Sequence, residues 1–485
     1  MAFLACLVAL ALALAGPAAA NAPPLRGAVT HPLWADSTVA DFDRELDLLA
    51  AAGANTVRID IGWSTLEPNG KGQYAQWYID KADTFFAHAA ARGLRVIVTL
   101  FTTPCWASEA PPELKQNCEG AWWDREVGFY PPSNPADFAD VAAFVAARWG
   151  DSMAAIEIWN EPNYDYWFRS TAPAVEYAAM LRAAYPRIKQ VKPSLPVLGP
   201  AMLASDGYFL EALYAQGIGG YFDGLSLRPF NQGRSPYDAT VPPLGLPHVY
   251  LLGVPWIRAI MVAHGDGAKR MWFTELGWSS CAPGTNIWCI TTDLQARYLA
   301  DAFLIIRDRW DYVDAVTVYN LRNKGWDPLD RESQMGIVWR DFTPKPAYFA
   351  FRDVLAELAA HPFPAPPPVA QPSQARRDRK RPVLARLRAS VQRGGRALKV
   401  TYRLAERSRV SLRLARAARR PGCRRRCRRW IRFRGPSVHS GRRGRNRVRL
   451  GLKGAQPGRY RLSASARDRA GNRSKPRQAS FRKLR

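Results

Sequence analysis

The chain has 485 residues, 47% hydrophobic and 23% charged, which excludes a disordered polycation and leaves ample apolar material for a large core. Its 69 Lys and Arg outweigh 41 Asp and Glu, giving a net charge of +28 that points first to nucleic acid or an anionic surface. The charge is unevenly placed, however: residues 371–485 hold 40 Lys/Arg against 3 Asp/Glu (net +37), and residues 1–370 hold 29 against 38 (net −9). Two chemically different bodies share the chain.

Residues 3–15 are an unbroken apolar run followed by Gly16-Pro17 and Ala18-Ala19-Ala20. This reads as a secretory signal over 1–20, with cleavage expected after Ala20, although no basic residue precedes the run. The run of about 13 apolar residues falls short of the ~20 that span a bilayer, so the expectation is a secreted, extracellular protein with no transmembrane segment. Export permits disulfides. Setting Cys6 aside, the cysteines form close pairs, Cys105/Cys118, Cys281/Cys289 and Cys423/Cys427. Six cysteines allow 15 connectivities, of which local pairing is the economical one. The spacings are not C-x2-C and no His cluster lies near them, so no metal is expected.

From residue 26 to about 359, short β-branched runs alternate with amphipathic stretches. The candidate strands are 27–33, 56–62, 95–101, 154–160, 196–202, 222–228, 270–276 and 314–320. Between them, Val39, Phe42, Leu46 and Leu49 recur at helical spacing behind an Asp36/Ser37 cap, and 135–149, 173–191 and 293–310 read as helices in the same way. Eight such units predict an α/β fold, a (β/α)8 TIM barrel over 21–360. A doubly wound open sheet is the structural alternative, but no G-x-G-x-x-G or Walker loop follows any strand. Residues 361–382 form a proline-rich linker that turns basic. Beyond it LKVTYRL, RVSLRLA, RVRLGLK and GRYRLSA alternate at period two, which predicts a small antiparallel β-sandwich over 383–485.

In such a barrel, chemistry gathers where strands end. The fourth candidate strand ends in IEIWNEPN (156–163) and the seventh in MWFTELGW (271–278), so Glu161 and Glu275 are each delivered at a strand end. Two carboxylates across a cleft are what glycoside hydrolysis needs, one protonated to release the alkoxide and one ionised to attack. Alternation puts Glu157, Trp159 and Glu161 on one parity, which does not settle the inward face because the strand bends at its end.

W-N-E-P-N followed by T-E-L-G-W on this pattern resembles the clan A glycoside hydrolases, notably families 39 and 5. The resemblance spans 26–355 and takes in Arg58, Trp63 and the closing K-P-A-Y-F-A-F (345–351). It implies Glu161 as acid/base, Glu275 as nucleophile, retention of anomeric configuration, and Asn160 as a donor to the sugar 2-hydroxyl. Arg58 would stand behind Glu275 and keep it ionised. No metal or organic cofactor is expected. One departure is visible on the sixth candidate strand, where these enzymes often carry His and Tyr. This chain has Leu227-Arg228-Pro229-Phe230, and Arg228 is a fixed cation that predicts a changed hydrogen-bond network around Glu275.

Aromatics crowd the same loops: Trp63, Trp106, Trp122, Trp123, Tyr164, Tyr166, Trp167, Trp278, Trp288, Tyr319 and Trp326. Of these, Trp63, Trp278 and Tyr319 flank the catalytic strands and are expected to contact sugar. In the basic half, Cys423–Arg434 interleaves seven Arg with Trp430 and Phe433. For an exported protein the nearer polyanions are cell-wall or surface polymers, and no specific nucleic acid is expected. The competing account is an Arg-rich choice of solvated residues. In pattern only, this half resembles the Ig-like or fibronectin-like modules appended to secreted bacterial enzymes. The expected function is a secreted retaining hydrolase of β-linked oligo- or polysaccharide. A non-catalytic carbohydrate- or polyanion-binding cell-wall protein is the second reading, motivated by the strand-six departure.

Overall fold

The computed structural model describes residues 24–116, 118, 126–238, 250–361, 381–419, 428–468 and 472–484. The chain divides into two compact units, Met1–Pro366 and Pro367–Arg485.

The first unit is a closed parallel barrel. Its strands are β1 (Leu25–Val29), β2 (Thr56–Gly62), β3 (Arg95–Phe101), β4 (Met153–Ile158), β5 (Val197–Leu198), β6 (Met202–Leu203), β7 (Gly224–Arg228), β8 (Arg270–Leu276) and β9 (Val313–Val318). The barrel closes in the order β1-β2-β3-β4-β5-β7-β8-β9 and back to β1, with β6 a two-residue pairing beside β7. The expected fifth strand, 196–202, is thus split in two, because Pro200 in its middle has no N–H to give to a ladder.

Helices return the chain between strands, and their starts follow from local chemistry. Val39–Ala51 is capped by Thr38, which accepts from the Asp41 amide while the Asp41 side chain bonds back. The cap is therefore one residue later than Asp36/Ser37. Asn134 caps Pro135–Trp149, where Pro at the first turn loses no bond, and Thr291 caps Thr292–Arg309. Their buried faces (Phe42, Leu46 and Leu49; Phe138, Val141 and Val145; Leu299, Phe303 and Ile306) join the outward residues of the strands in one continuous core.

Inside the barrel the chemistry changes along the axis. Leu25, Ile97, Ala155, Leu198, Trp272 and Ala315 make an apolar plug at the N-terminal end. Two residues further along the same parity stand Thr99, Glu157, Thr274 and Thr317, all buried, with Arg58 and Arg228 among them. The parity that makes a strand amphipathic therefore also raises a charged layer on an apolar floor.

The second unit is two facing antiparallel sheets. One comprises β10 (Leu384–Val391), β11 (Ala397–Leu404) and β14 (Gly444–Gly451); the other comprises β12 (Ser408–Arg419), β13 (Arg428–Gly441), β15 (Gly458–Arg467) and β16 (Arg477–Lys483). Leu398, Val400, Tyr402 and Leu404 of the first sheet pack with Val410, Leu412, Leu414, Leu462 and Ala464 of the second, the core of a β-sandwich. Three strands were not predicted: β10, β13 and β16. In β13 the pairing with β12 jumps from Leu412↔Ser437 to Leu414↔Arg434, a bulge that takes up Gly435-Pro436 and hides the strand from a period-two search.

Candidate active site

At the C-terminal mouth of the barrel four carboxylates meet two guanidinium groups. The wall of β4 supplies Glu157, and its extension supplies Asn160 and Glu161. Strand β8 supplies Glu275, β2 supplies Arg58 and Asp60, and β7 supplies Arg228. The backbone explains how β4 does this. The strand stops at Ile158, and Trp159 and Glu161 both take left-handed φ values of 65° and 46°. The alternation breaks there. Trp159 leaves the barrel to pack between Phe138 and Phe168, while Asn160 and Glu161 both reach the charged layer. On the other side Gly277 lets β8 pass the Tyr319 carbonyl, which a Cβ would meet at 2.1 Å.

The sharing of the cations is unequal. Arg58 Nη1 lies 3.0 Å from Glu275 and 3.1 Å from Asp60, and Arg58 Nε donates to Thr99 at 2.8 Å. Arg228 Nη2 donates to Glu157 at 3.0 Å, its Nε lies 3.3 Å from Glu275, and its Nη1 donates to Asn160 Oδ1. Glu161 has only Arg228, at 3.6 Å. Glu157 also accepts from Thr99 and Thr274. Despite burial, Arg228 and Arg58 hold the Glu157 carboxyl below its ordinary pKa, and Arg58 and His31 do the same for Asp60. These two ionised groups neutralise the two arginines.

Glu161 and Glu275, exposed by only 5% and 6%, then share a buried cleft with two arginines already matched by Asp60 and Glu157. Burial pushes both upward, Glu161 to about 7, with Glu275 adding repulsion and Arg228 opposing. Glu275 touches two guanidinium groups at short range and Glu161 one at longer range, so Glu275 is the better placed to stay ionised while Glu161 holds the proton.

The expected residues fare differently. Arg58, Asn160, Glu161, Arg228 and Glu275 come together as one cluster, Asn160 by hydrogen bonds and the two glutamates by ion pairs. Tyr319 stands at its edge, 5.9 Å ring to ring from Phe230, and its hydroxyl accepts from Lys324. Trp63 and Trp278 do not join. Trp63 is fully buried, packs edge-on against Trp106 and Phe138, and donates its N–H to Glu67. Trp278 is 1% exposed and donates to the Arg234 carbonyl. Neither presents a ring to the cleft; both are core tryptophans whose N–H found a partner. Trp122 and Trp123 lie outside the described residues. His31, Asp60, Glu157 and Lys324 were not singled out from sequence. Asp60 was open to the parity argument, two residues beyond Arg58. Lys324 lies on a loop, where no periodicity marks it, and His31 falls within the expected strand 27–33, which ends at Val29 and leaves His31 on the loop beyond.

The expected disulfides Cys105–Cys118 and Cys281–Cys289 are formed, on the loops after β3 and β8. Cys423 and Cys427 lie outside the described residues. Among the described residues no cluster of three metal-ligating side chains occurs, and no helix is long and apolar enough to cross a membrane.

Known glycoside hydrolases share this barrel fold. The cellulase model of glycosyl hydrolase family 5 matches residues 17–201, which include Asn160 and Glu161 but stop short of Arg228 and Glu275. The chain resembles the clan A glycoside hydrolases. The structure of a family 39 glycoside hydrolase from Bacteroides cellulosilyticus WH2 superposes with a TM-score of 0.55 at 20% identity, over 88% of this chain and 81% of that one. A glucosidase from Croceicoccus marinus superposes with a TM-score of 0.52 at 16% identity, over 90% and 94%. Among curated relatives, beta-glucosidase 6 of Oryza sativa subsp. japonica is 30% identical over 122 residues, 25% of this chain and 21% of the relative. A beta-glucosidase of an Agrobacterium species is 28% identical over 126 residues, 26% and 24%. The chain thus spans about a fifth to a quarter of the length of these curated relatives.

Proposed function

We propose that the barrel is a retaining β-glycosidase in which Glu161 is the general acid/base and Glu275 the nucleophile. The observation that carries this reading is the asymmetric sharing of Arg58 and Arg228, which favours one ionised and one protonated carboxyl in the same buried cleft. In the first step Glu275 attacks the anomeric carbon as Glu161 gives its proton to the departing oxygen. In the second, Glu161 takes a proton from water, which displaces Glu275 from the sugar. Asn160, held by Arg228, has its amide free to donate to the sugar 2-hydroxyl. Relatives named as beta-glucosidases suggest a β-linked neutral sugar as substrate. The two disulfides and the apolar N-terminal run fit an exported protein.

The sandwich, which we read as an Ig-like module, suits an acidic cell-wall or surface polysaccharide. On the outer face of its three-stranded sheet Lys399 pairs across from Arg449 and Arg403 from Arg445. Like charges set directly opposite cost stability, and none of these four has a carboxylate partner among the described residues, so the face is suited to an external anion. It displays Arg388, Thr401 and Arg447 but no aromatic ring on which a base could stack, which disfavours single-stranded nucleic acid.

The test is turnover of aryl β-glucosides and β-xylosides, with the anomer first released read by NMR. A β product from wild type, and a loss of about a thousandfold or more in Glu275→Ala, is expected. No turnover of any sugar, with oligosaccharide binding retained, would establish the non-catalytic reading instead.

A further inference from the structure

One nitrogen of Arg58 serves two carboxylates. Its Nη1 lies 3.0 Å from Glu275 Oε1 and 3.1 Å from Asp60 Oδ1, while its other nitrogens face Thr99, Asn160 and Glu157. Asp60 Oδ1 is buried and accepts no hydrogen bond among the described residues, so charge alone holds it to the guanidinium. Arg58 and Asp60 are buried, where a neighbouring charge is weakly screened. Burial lifts the Glu275 pKa, Arg228 and Arg58 oppose the lift, and Asp60 adds to it. Asp60 thus draws on the same cation that steadies the Glu275 anion.

His31, on the loop after β1, fixes Asp60 without cancelling its charge. Its Nδ1 lies 2.9 Å from Asp60 Oδ2, and Asp60, kept ionised by Arg58 against its burial, can only accept, so Nδ1 carries the hydrogen. Burial pushes the His31 pKa down to about 4, with Lys324 adding to the fall, so the ring is a neutral donor. Stacking on Trp34, at 4.1 Å and 22° between planes, sets the orientation of the imidazole. A protonated histidine would balance Asp60; a neutral one leaves its full charge facing Arg58. The other charged or titratable groups facing Glu275 are Glu157 and Glu161 from β4 and its extension, Arg228 from β7, and Tyr319 and Lys324 beyond β9. Glu157 and Glu161 reach Arg228 through Nη2 and Nη1, whereas Glu275 is nearest its Nε. Asp60 alone among these carboxylates meets Glu275 on a single nitrogen.

We propose that Asp60 is a positioning residue for the nucleophile: held by His31, it takes up part of the charge of Arg58 and so keeps Glu275 from being over-stabilised as an anion. The inference rests on the retaining reading, in which Glu275 is the attacking group. The two chemical steps make opposite demands on that carboxylate. In the first, a Glu275 oxygen bonds to the anomeric carbon, the bond to the leaving oxygen breaks, and Glu161 protonates that oxygen; Glu275 gives up its charge. In the second, water bonds to the same carbon, the bond to Glu275 breaks, and Glu161 takes the proton from water; Glu275 recovers its charge. A negative charge beside Arg58 favours the first change and resists the second. Its removal should therefore slow one step and spare the other.

Asp60→Asn keeps the shape and removes the charge. In the full chain, kcat/KM for phenyl β-glucoside, which reads the first step, should fall about threefold to tenfold. The kcat for 2,4-dinitrophenyl β-glucoside, limited by the second step, should hold or rise. The acid limb of kcat/KM, set by ionisation of Glu275, should move down by about one pH unit, because that carboxyl becomes easier to ionise. His31→Phe keeps the stack on Trp34 but leaves Asp60 with Arg58 as its sole close partner, so the acid limb should move up instead. Carbon-13 NMR of the Glu275 carboxyl, assigned by its loss in Glu275→Gln, follows the same ionisation without turnover. Equal falls in both steps, or a Glu275 titration that neither variant moves, overturn the proposal and leave Asp60 a structural partner of Arg58. A Glu275 titration that moves as expected in a chain that turns over no glycoside sustains the electrostatic link and overturns the glycosidase reading.

Discussion

In the proposed mechanism two residues of the same type, Glu161 and Glu275, are asked to do opposite things, and their neighbours decide which does what. Glu161 is pushed up to about 7 chiefly by burial. Its acid form is present below that value and is lost as pH rises through it, so kcat/KM for an aryl glycoside should fall on the alkaline side with a midpoint near 7. With an activated leaving group that needs no proton, Glu161→Gln should lose this alkaline limb; a limb that persists would assign the proton elsewhere. Arg228 pulls Glu161 and Glu275 down while bonding Glu157 and Asn160. Arg228→Met removes that pull, so the alkaline limb should move to higher pH. It also strips the fully buried Glu157 of its nearest cation, at a cost of about 3–5 kcal/mol. Arg228→Lys restores charge but cannot make the same set of contacts from one point, so it should recover the pH profile more than the thermal midpoint. Equal recovery of both would show that charge alone is what matters at this position.

At the scale of elements, sequence and structure agree where periodicity is intact and part where the backbone leaves it. Strands β2, β3 and β8 fall on the expected residues because their runs are β-branched, continuous and closed by clear turns. The pair Glu161 and Glu275 was legible because both stand at strand ends, and a barrel gathers strand ends. The facing of Asn160 was not, because it depends on left-handed backbone at Trp159 and Glu161 that no alternation rule contains. The two tryptophans expected at the sugar failed for a related reason. Proximity in sequence to a catalytic strand says nothing about which side of the barrel wall an indole takes, and Trp63 and Trp278 took the helix side. Two of the three expected disulfides, Cys105–Cys118 and Cys281–Cys289, join cysteines that lie close in sequence, as local pairing predicts. Cys281–Cys289 closes a loop of sequence separation 8 that carries Trp288 against Phe230. Loop-closure entropy assigns such a bridge about 2–3 kcal/mol. The double variant Cys281→Ser/Cys289→Ser should therefore melt a few degrees lower and show a raised KM with little change in kcat, since the loop borders the cleft without touching Glu161 or Glu275. A fall in kcat alone would place the loop in the chemistry.

At the scale of the whole molecule the +28 is a difference between two bodies, and each body's charge answers to a different physical demand. In the barrel the buried Arg58 and Arg228 are matched by Asp60, Glu157, Glu161 and Glu275 in one cleft. The sandwich sets cations opposite cations in its ladder, an arrangement that repels itself and is relieved only from outside. The barrel core and the sandwich core share no residue, so the two demands need not compromise each other. From this follows the last prediction. On an immobilised polygalacturonate column the full chain should be retained at low salt and elute as salt screens the face. Arg445→Gln, Arg447→Gln and Arg449→Gln combined should elute markedly earlier with an unchanged melting temperature, because the three side chains are exposed and the strand's inward residues are untouched. Soluble polygalacturonate should not inhibit hydrolysis of a neutral aryl glycoside by the full chain. Inhibition that the triple variant relieves would mean that the cationic face governs access to the cleft, and the division of labour between the two bodies would fall.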